Sequence, residues 1–177
     1  LFVDNELNKT QMVISVLGGT VLKNRVSIYT IVDRQFDTTP EISFNMIHQP
    51  NDTSSTYQFM NELPDHEATY HASYTLSSNG ILSIGVSGLI NGVYASESRE
   101  FNIYSIGRSI GFNALSNDGM LGISALAQNV NSEGFVLIGE ANRILAGELE
   151  SMHQVGKIYD VIGSDNTPHD FTLELMY

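Results

Sequence analysis

Four groups of residues have types and spacings that could do chemistry. Gly107-Arg108-Ser109-Ile110-Gly111 has the glycine–serine–glycine spacing of a nucleophile elbow. That chemistry needs a strand, a sharp turn that lifts the serine hydroxyl, and a helix whose first amides hold an oxyanion. Asn117-Asp118-Gly119 cuts off such a helix almost at once, and the large parallel sheet of an α/β-hydrolase is absent. A glycine-bounded turn is therefore expected at Ser109. Asp65-His66-Glu67 with His71 resembles a zinc-helix motif only in composition. Two ligands on one helix face must stand at i and i+4, whereas five residues separate His66 from His71, about 140° apart on a helix. On a strand the two rings point to opposite faces. His153, His169 and Asp170 lack a third ligand at useful spacing, and no calcium-loop pattern occurs around Asp118 or Asp165. The expectation is no catalytic set, no metal and no cofactor.

Tyr70 and Tyr74 form the fourth group, as a possible sugar-stacking pair. They alternate with Ala68 and Ala72, which places them inside a β-sandwich with hydroxyls at its rim. Asn8-Lys9-Thr10 and Asn51-Asp52-Thr53 are glycosylation acceptor patterns, meaningful only in a pathway that glycosylates.

The elements that must position these residues are strands. Met12, Ile14 and Val16 recur at period two, as do Val26, Ile28, Thr30 and Val32, then Ile42, Phe44 and Met46 after Pro40. Residues 54–60 carry Tyr57 and Phe59. Ala68 to Leu76 alternates most clearly, and Asn79-Gly80 carries a hairpin signal ahead of Leu82, Ile84 and Val86. Phe101 and Ile103 follow the turn-rich Asn91-Gly92. A second series runs through Met120–Ile123, Gly134–Ile138, Lys157–Ile162 and Phe171–Tyr177. Between them, Ala141, Ile144, Leu145, Leu149 and Met152 follow helical spacing, so a short helix is expected within residues 140–152. The fold class expected is all-β, as two small antiparallel β-sandwich modules in tandem, residues 1–105 and 106–177.

Composition narrows the partners. Among 177 residues, 20 acids against 8 bases give a net charge of -12, which disfavours nucleic acid and anionic membrane surfaces. The longest apolar runs, such as Val136-Leu137-Ile138, are far too short to span a bilayer. With no cysteine, disulfides and thiol chemistry are excluded. The chain starts at Leu1, as a fragment or processed form would, and shows no signal peptide.

Ala68-Thr69-Tyr70-His71-Ala72-Ser73-Tyr74, Gly80 to Gly88 and Phe101-Asn102-Ile103 share a strand rhythm. In this rhythm the stretch from Val26 to Ile103 resembles the immunoglobulin-like or fibronectin-like modules of secreted bacterial and archaeal proteins. The disulfide-and-tryptophan core of antibody domains is absent. Asp118 to Ile123, Ala125-Leu126, Gly156 to Gly163 and Phe171 to Tyr177 together look like the β-sandwich domain shared by ankyrins and netrin receptors. That family's prolines are missing near Ser124 and Gly163. The resemblances transfer no active-site residue. They imply a structural or protein-interaction role outside the cytoplasm. The reading is a non-enzymatic spacer, scaffold or adhesive accessory segment of a larger secreted or cell-surface protein. Its partners would be neighbouring domains or other surface proteins. The rival readings are a module that binds a glycan or a partner protein, and a subunit of an extracellular fibre or surface layer.

Overall fold

A computed structural model describes residues 10–18, 24–48, 52–107, 112–125, 133–141, 157–164 and 172–175. Among these the chain is all-β, every pairing is antiparallel, and no helix occurs. One sheet orders β1 (Met12–Leu17), β2 (Arg25–Val32), β6 (Thr69–Thr75) and β5 (Asn61–Glu62). A six-stranded sheet runs β12 (Tyr159–Gly163), β11 (Gly134–Glu140), β8 (Val93–Ile106), β7 (Gly80–Ile90), β3 (Glu41–His48) and β4 (Asp52–Phe59). A third sheet orders β13 (Thr172–Leu175), β10 (Leu121–Ala125) and β9 (Phe112–Leu115). No helix among the described residues is long and apolar enough to cross a membrane.

Period-two alternation explains the first two layers. Ile14, Val16, Val26 and Ile28 of the four-stranded sheet meet Ile42, Phe44, Leu82, Ile84, Phe101 and Ile103 of the six-stranded sheet in one buried core. Tyr70 and Tyr74 belong to this interior, as their alternation with alanine implies. Tyr70 is buried edge-on to Phe36 (5.3 Å), and its hydroxyl accepts the Phe36 N–H at 3.2 Å. The Tyr74 ring stacks on Phe44 at 4.6 Å.

The third sheet covers the opposite face of the β8–β11 region. Ile106, Ala114, Leu121, Ile123, Val136 and Ile138 form a second core, with Tyr104 and Tyr159 packed against it. The Tyr104 hydroxyl clips β9 to β8: it accepts from Leu115 N (3.1 Å) and donates to Leu115 O (3.0 Å). Asn102 Nδ2 donates to the same carbonyl at 2.8 Å. In β11, Leu137 enters the first core while Val136 and Ile138 enter the second, so this strand is covered on both faces. β8 begins within residues 1–105, ends at Ile106, and pairs with both β7 and β11. Strands from either side of position 105 therefore share one sheet.

The turn signals divide. At Asn91-Gly92, φ is 51° and 73°, the double positive φ of a type I′ turn joining β7 to β8. The Asp37 carboxylate accepts both turn amides, from Asn91 at 2.8 Å and Gly92 at 2.7 Å. Asn79-Gly80 makes no hairpin. β6 pairs with β2 and β5 while β7 pairs with β3 and β8, so the chain crosses between layers over residues 76–79. Of the stretch expected to be helical, Glu140 closes β11, and residues 142–152 lie outside the described residues.

β11 approaches β8 and the first core closely at Gly139. A Cβ there would lie 2.6 Å from both the Phe101 ring and the Glu100 carbonyl oxygen. Gly139→Ala is expected to lower stability by about 1–3 kcal/mol through overpacking, seen as a reduced urea midpoint at unchanged slope. A wild-type midpoint would show that Phe101 does not lie over this backbone.

Candidate functional site

The same alternation that buries one face of the six-stranded sheet leaves the other open beyond the third sheet. On β3, Ile42 and Phe44 point inward, so Glu41, Ser43 and Asn45 point outward. On β7, Ser83, Gly85 and Ser87 take the outward positions, and on β8, Tyr94, Ser96, Ser98 and Glu100 do. The registers Tyr57↔Ser43, Ser43↔Gly85 and Gly85↔Ser98 line these residues up across four strands, a row spanning about 14 Å. The result is a shallow floor of small residues. Tyr57 and Phe59 stand over its β4 side, 65% and 70% exposed, and Tyr94 stands at its β8 side, 68% exposed.

Past Ser98 this floor opens into a polar pocket of about 430 Å³, bounded by Glu100, Asn117, Asp118, Glu140, Lys157 and Tyr159. The turn at Asn117–Gly119 places Asp118 at its centre. Ser116 Oγ donates to Asp118 Oδ1 at 2.7 Å, and the Met120 N–H at 3.2 Å. Tyr159 OH donates to Oδ2 at 2.7 Å, and Lys157 Nζ sits 3.1 Å from the same oxygen. Lys157 also pairs with Glu140 at 2.9 Å. The Tyr159 and Ser116 hydrogen bonds hold the Asp118 carboxyl far below the usual carboxylate range. Lys157 is pushed up to about 12, first by its hydrogen bond to Glu140 and then by Asp118. Desolvation, then the bond to Asp118, raises the Tyr159 phenol. Both shifts favour the charged forms of Asp118 and Lys157. They present fixed charge and hydrogen-bonding groups.

Arg99 forms the pocket's inner wall. Its side chain is 4% exposed and stacks 4.7 Å from the centre of Phe101. It donates to Ile14 O (2.9 Å), Glu140 O (2.7 Å) and Asp160 Oδ2 (2.8 Å). One guanidinium thus ties β1, β11 and β12 to β8.

The residues singled out in the sequence are scattered. His66 lies in the turn before β6, where its N–H donates to Leu63 O. His71 lies on β6 with its ring 4.9 Å from Tyr29. Burial, then the Arg25 charge, lowers its imidazole below the usual value. No group of three or more acids and histidines among the described residues could hold a metal ion. Ser109, His153, His169, Asp170, Asn8 and Asn51 lie outside the described residues. The sequence reading missed the Asp118 network, taken only as a turn, and Arg99. It noted Tyr57 and Phe59 only as strand residues.

No protein-family profile matches this chain, and no curated protein matches it.

Arg99→Ala is expected to cost about 3–5 kcal/mol, because it strips partners from three buried or half-buried acceptors at once. Arg99→Lys should recover only part, since one ammonium cannot span the fork. Equal urea midpoints for wild type and Arg99→Ala would refute the tie. Asp118 gives a pH signature. Its folded-state value lies below the ordinary 3.8, so its contribution is complete above that value and drains away as pH falls through and below it. The stability gap between wild type and Asp118→Asn should therefore shrink between about pH 5 and about pH 2, and shrink with added salt because the site is exposed. A gap constant with pH would remove Asp118 from the network.

Proposed function

We propose that this chain is a non-catalytic, adhesive accessory segment of a larger secreted or cell-surface protein, and that it binds a glycan on the open face of its six-stranded sheet. The observation that carries the reading is the exposure of Tyr57, Phe59 and Tyr94 around a floor of Ser43, Gly85, Ser87, Ser96 and Ser98. Large aromatic side chains left in water together mark an interaction surface. Aromatic faces stack on the C–H faces of a sugar ring. Beside them Glu100, Asn117, Asp118 and Lys157 offer acceptors and donors at fixed positions, the small number of placed polar groups that orient a ligand.

The resemblances to secreted immunoglobulin-like modules and to the ankyrin and netrin-receptor sandwich support a place outside the cytoplasm beside neighbouring domains. The net charge of -12 supports a partner other than nucleic acid.

A glycan array probed with the chain is expected to show a restricted set of positive sugars. For these, Tyr57→Ala/Phe59→Ala and Tyr94→Ala should each weaken binding by about tenfold or more, the scale of losing a stacked aromatic contact. These positions are solvent-facing, so the circular dichroism spectrum and urea midpoint should stay near wild type. A silent array, or variants that bind as wild type, would overturn the reading.

A further inference from the structure

We propose that the glycan seated on the open sheet face carries free amino groups, and that one of its ammonium groups is held at Glu100. The inference rests on the glycan reading and names the chemical class of the ligand, a cationic oligosaccharide of amino sugars. Across β3, β4, β7 and β8 the outward positions hold two charged residues, Glu41 and Glu100, and no lysine or arginine. Neither carboxylate has an ion-pair partner among the described residues. The opposite outer face of the sandwich has the reverse character. There the outward positions of β1, β2 and β6 hold Arg25 and no acid. The exposed aromatics Tyr57, Phe59 and Tyr94 and the unpaired carboxylates therefore share one face.

The pocket at the end of the floor keeps the same sign. Four acids, Glu97, Glu100, Asp118 and Glu140, line it together with two bases, Arg99 and Lys157. Asp160, outside that lining, already holds Arg99 at 2.8 Å, and Lys157 is shared between Asp118 and Glu140. The lining is left with a surplus of negative charge. Glu100 belongs to both surfaces, as an outward residue of β8 and as a wall of the pocket. The pairs Glu100↔Ser83, Ser83↔Asn45 and Asn45↔Ser55 set it one row from the line that ends at Tyr57. Three strand spacings and that one-row offset separate Glu100 from Tyr57 by roughly 16 Å. A single sugar cannot touch both, and an oligosaccharide can.

A protonated amine on a sugar ring donates charge-assisted hydrogen bonds to a carboxylate. Its N-acetylated form has no charge to offer, and a uronic acid or sulfated sugar meets like charge here. The net charge of -12 also draws a cationic oligosaccharide from a distance.

Isothermal titration of the 177-residue chain with oligomers of glucosamine and of galactosamine, each with its amines free and each N-acetylated, tests this. In at least one pair the free-amine form is expected to bind about fivefold or more tighter than its N-acetylated match. The difference should narrow with added salt, because Glu41 and Glu100 are exposed. Glu100→Gln should weaken the free-amine form about three- to fivefold, the scale of an exposed ion pair, and leave the N-acetylated form unchanged. Asp65→Asn, an equal change of net charge in the turn before β6, should bind as wild type. Free-amine and N-acetylated oligomers bound equally tightly overturn the inference and leave the glycan reading standing. So does a Glu100→Gln effect no larger than that of Asp65→Asn. Oligomers that all fail to bind overturn it too, and a silent glycan array beside them removes the glycan reading as well.

Discussion

The pairing of β8 with β11 is the constraint on which the rest of the structure depends. Its register, from Gly134↔Ile106 to Ile138↔Asn102, fixes β11 between two cores. Leu137 then fills one, and Val136 and Ile138 fill the other. Each such side chain removed from water contributes about 1.5–3 kcal/mol, and three consecutive ones gain this together only where both faces of the strand are covered. β12 hangs on β11 through five further pairs, and β9 is clipped to β8 by Tyr104 and Asn102. A slip of one residue between β8 and β11 would turn every side chain of β11 to the wrong core.

Where that ladder stops, Arg99 takes over. Beyond Ile138↔Asn102 the guanidinium donates to Glu140 O and Asp160 while reaching across the sandwich to Ile14 O. Burying a guanidinium is costly, and here three hydrogen bonds and the face of Phe101 offset part of the lost hydration, while Nε is buried without a hydrogen-bond partner. The polar pocket lies beside this end of the ladder, with Arg99, Gly139 and Glu140 in its lining. Its rim is held by the chain of contacts from Glu140 through Lys157 and Asp118 to Tyr159 and Ser116, which links the turn before β10 to β12.

Much of the fold was legible because alternation reports burial directly. β2, β3, β6 and β7 each bury every second side chain, and each was found from that pattern. What alternation cannot say is which strand lies beside which. Asn79-Gly80 has the composition of a hairpin, but glycine serves there for close approach: a Cβ would sit 2.1 Å from Ile47 O. β9 is not legible because four residues, Phe112–Leu115, are too few for alternation to show. Arg99 lies in the charged run Glu97-Ser98-Arg99-Glu100, whose composition is that of a solvated strand. Only the packing of β1 and Phe101 against it shows that its position points inward. The site was less legible still. Tyr57 and Tyr94 have the same composition as Tyr70 and Tyr74, and what separates them is the layer that covers one pair and leaves the other open.

That difference gives the open face its meaning. On β3, β7 and β8 the inward phase is constrained by the core, and its Ile, Phe, Leu and Val choices follow from packing alone. The outward phase is under no such demand, and solubility would be served by charge, as on most strands that face water. Here it holds Ser43, Gly85, Ser87, Ser96 and Ser98, with Glu41 and Glu100 at its margins. In a chain with 28 charged side chains, 20 acids and 8 bases, a neutral row of small residues beneath exposed aromatics is a departure from composition. Packing bears on it only at Gly85, where a Cβ would lie 2.8 Å from Ser43 Oγ. The proposed role, a surface on which another molecule lies flat, would account for it.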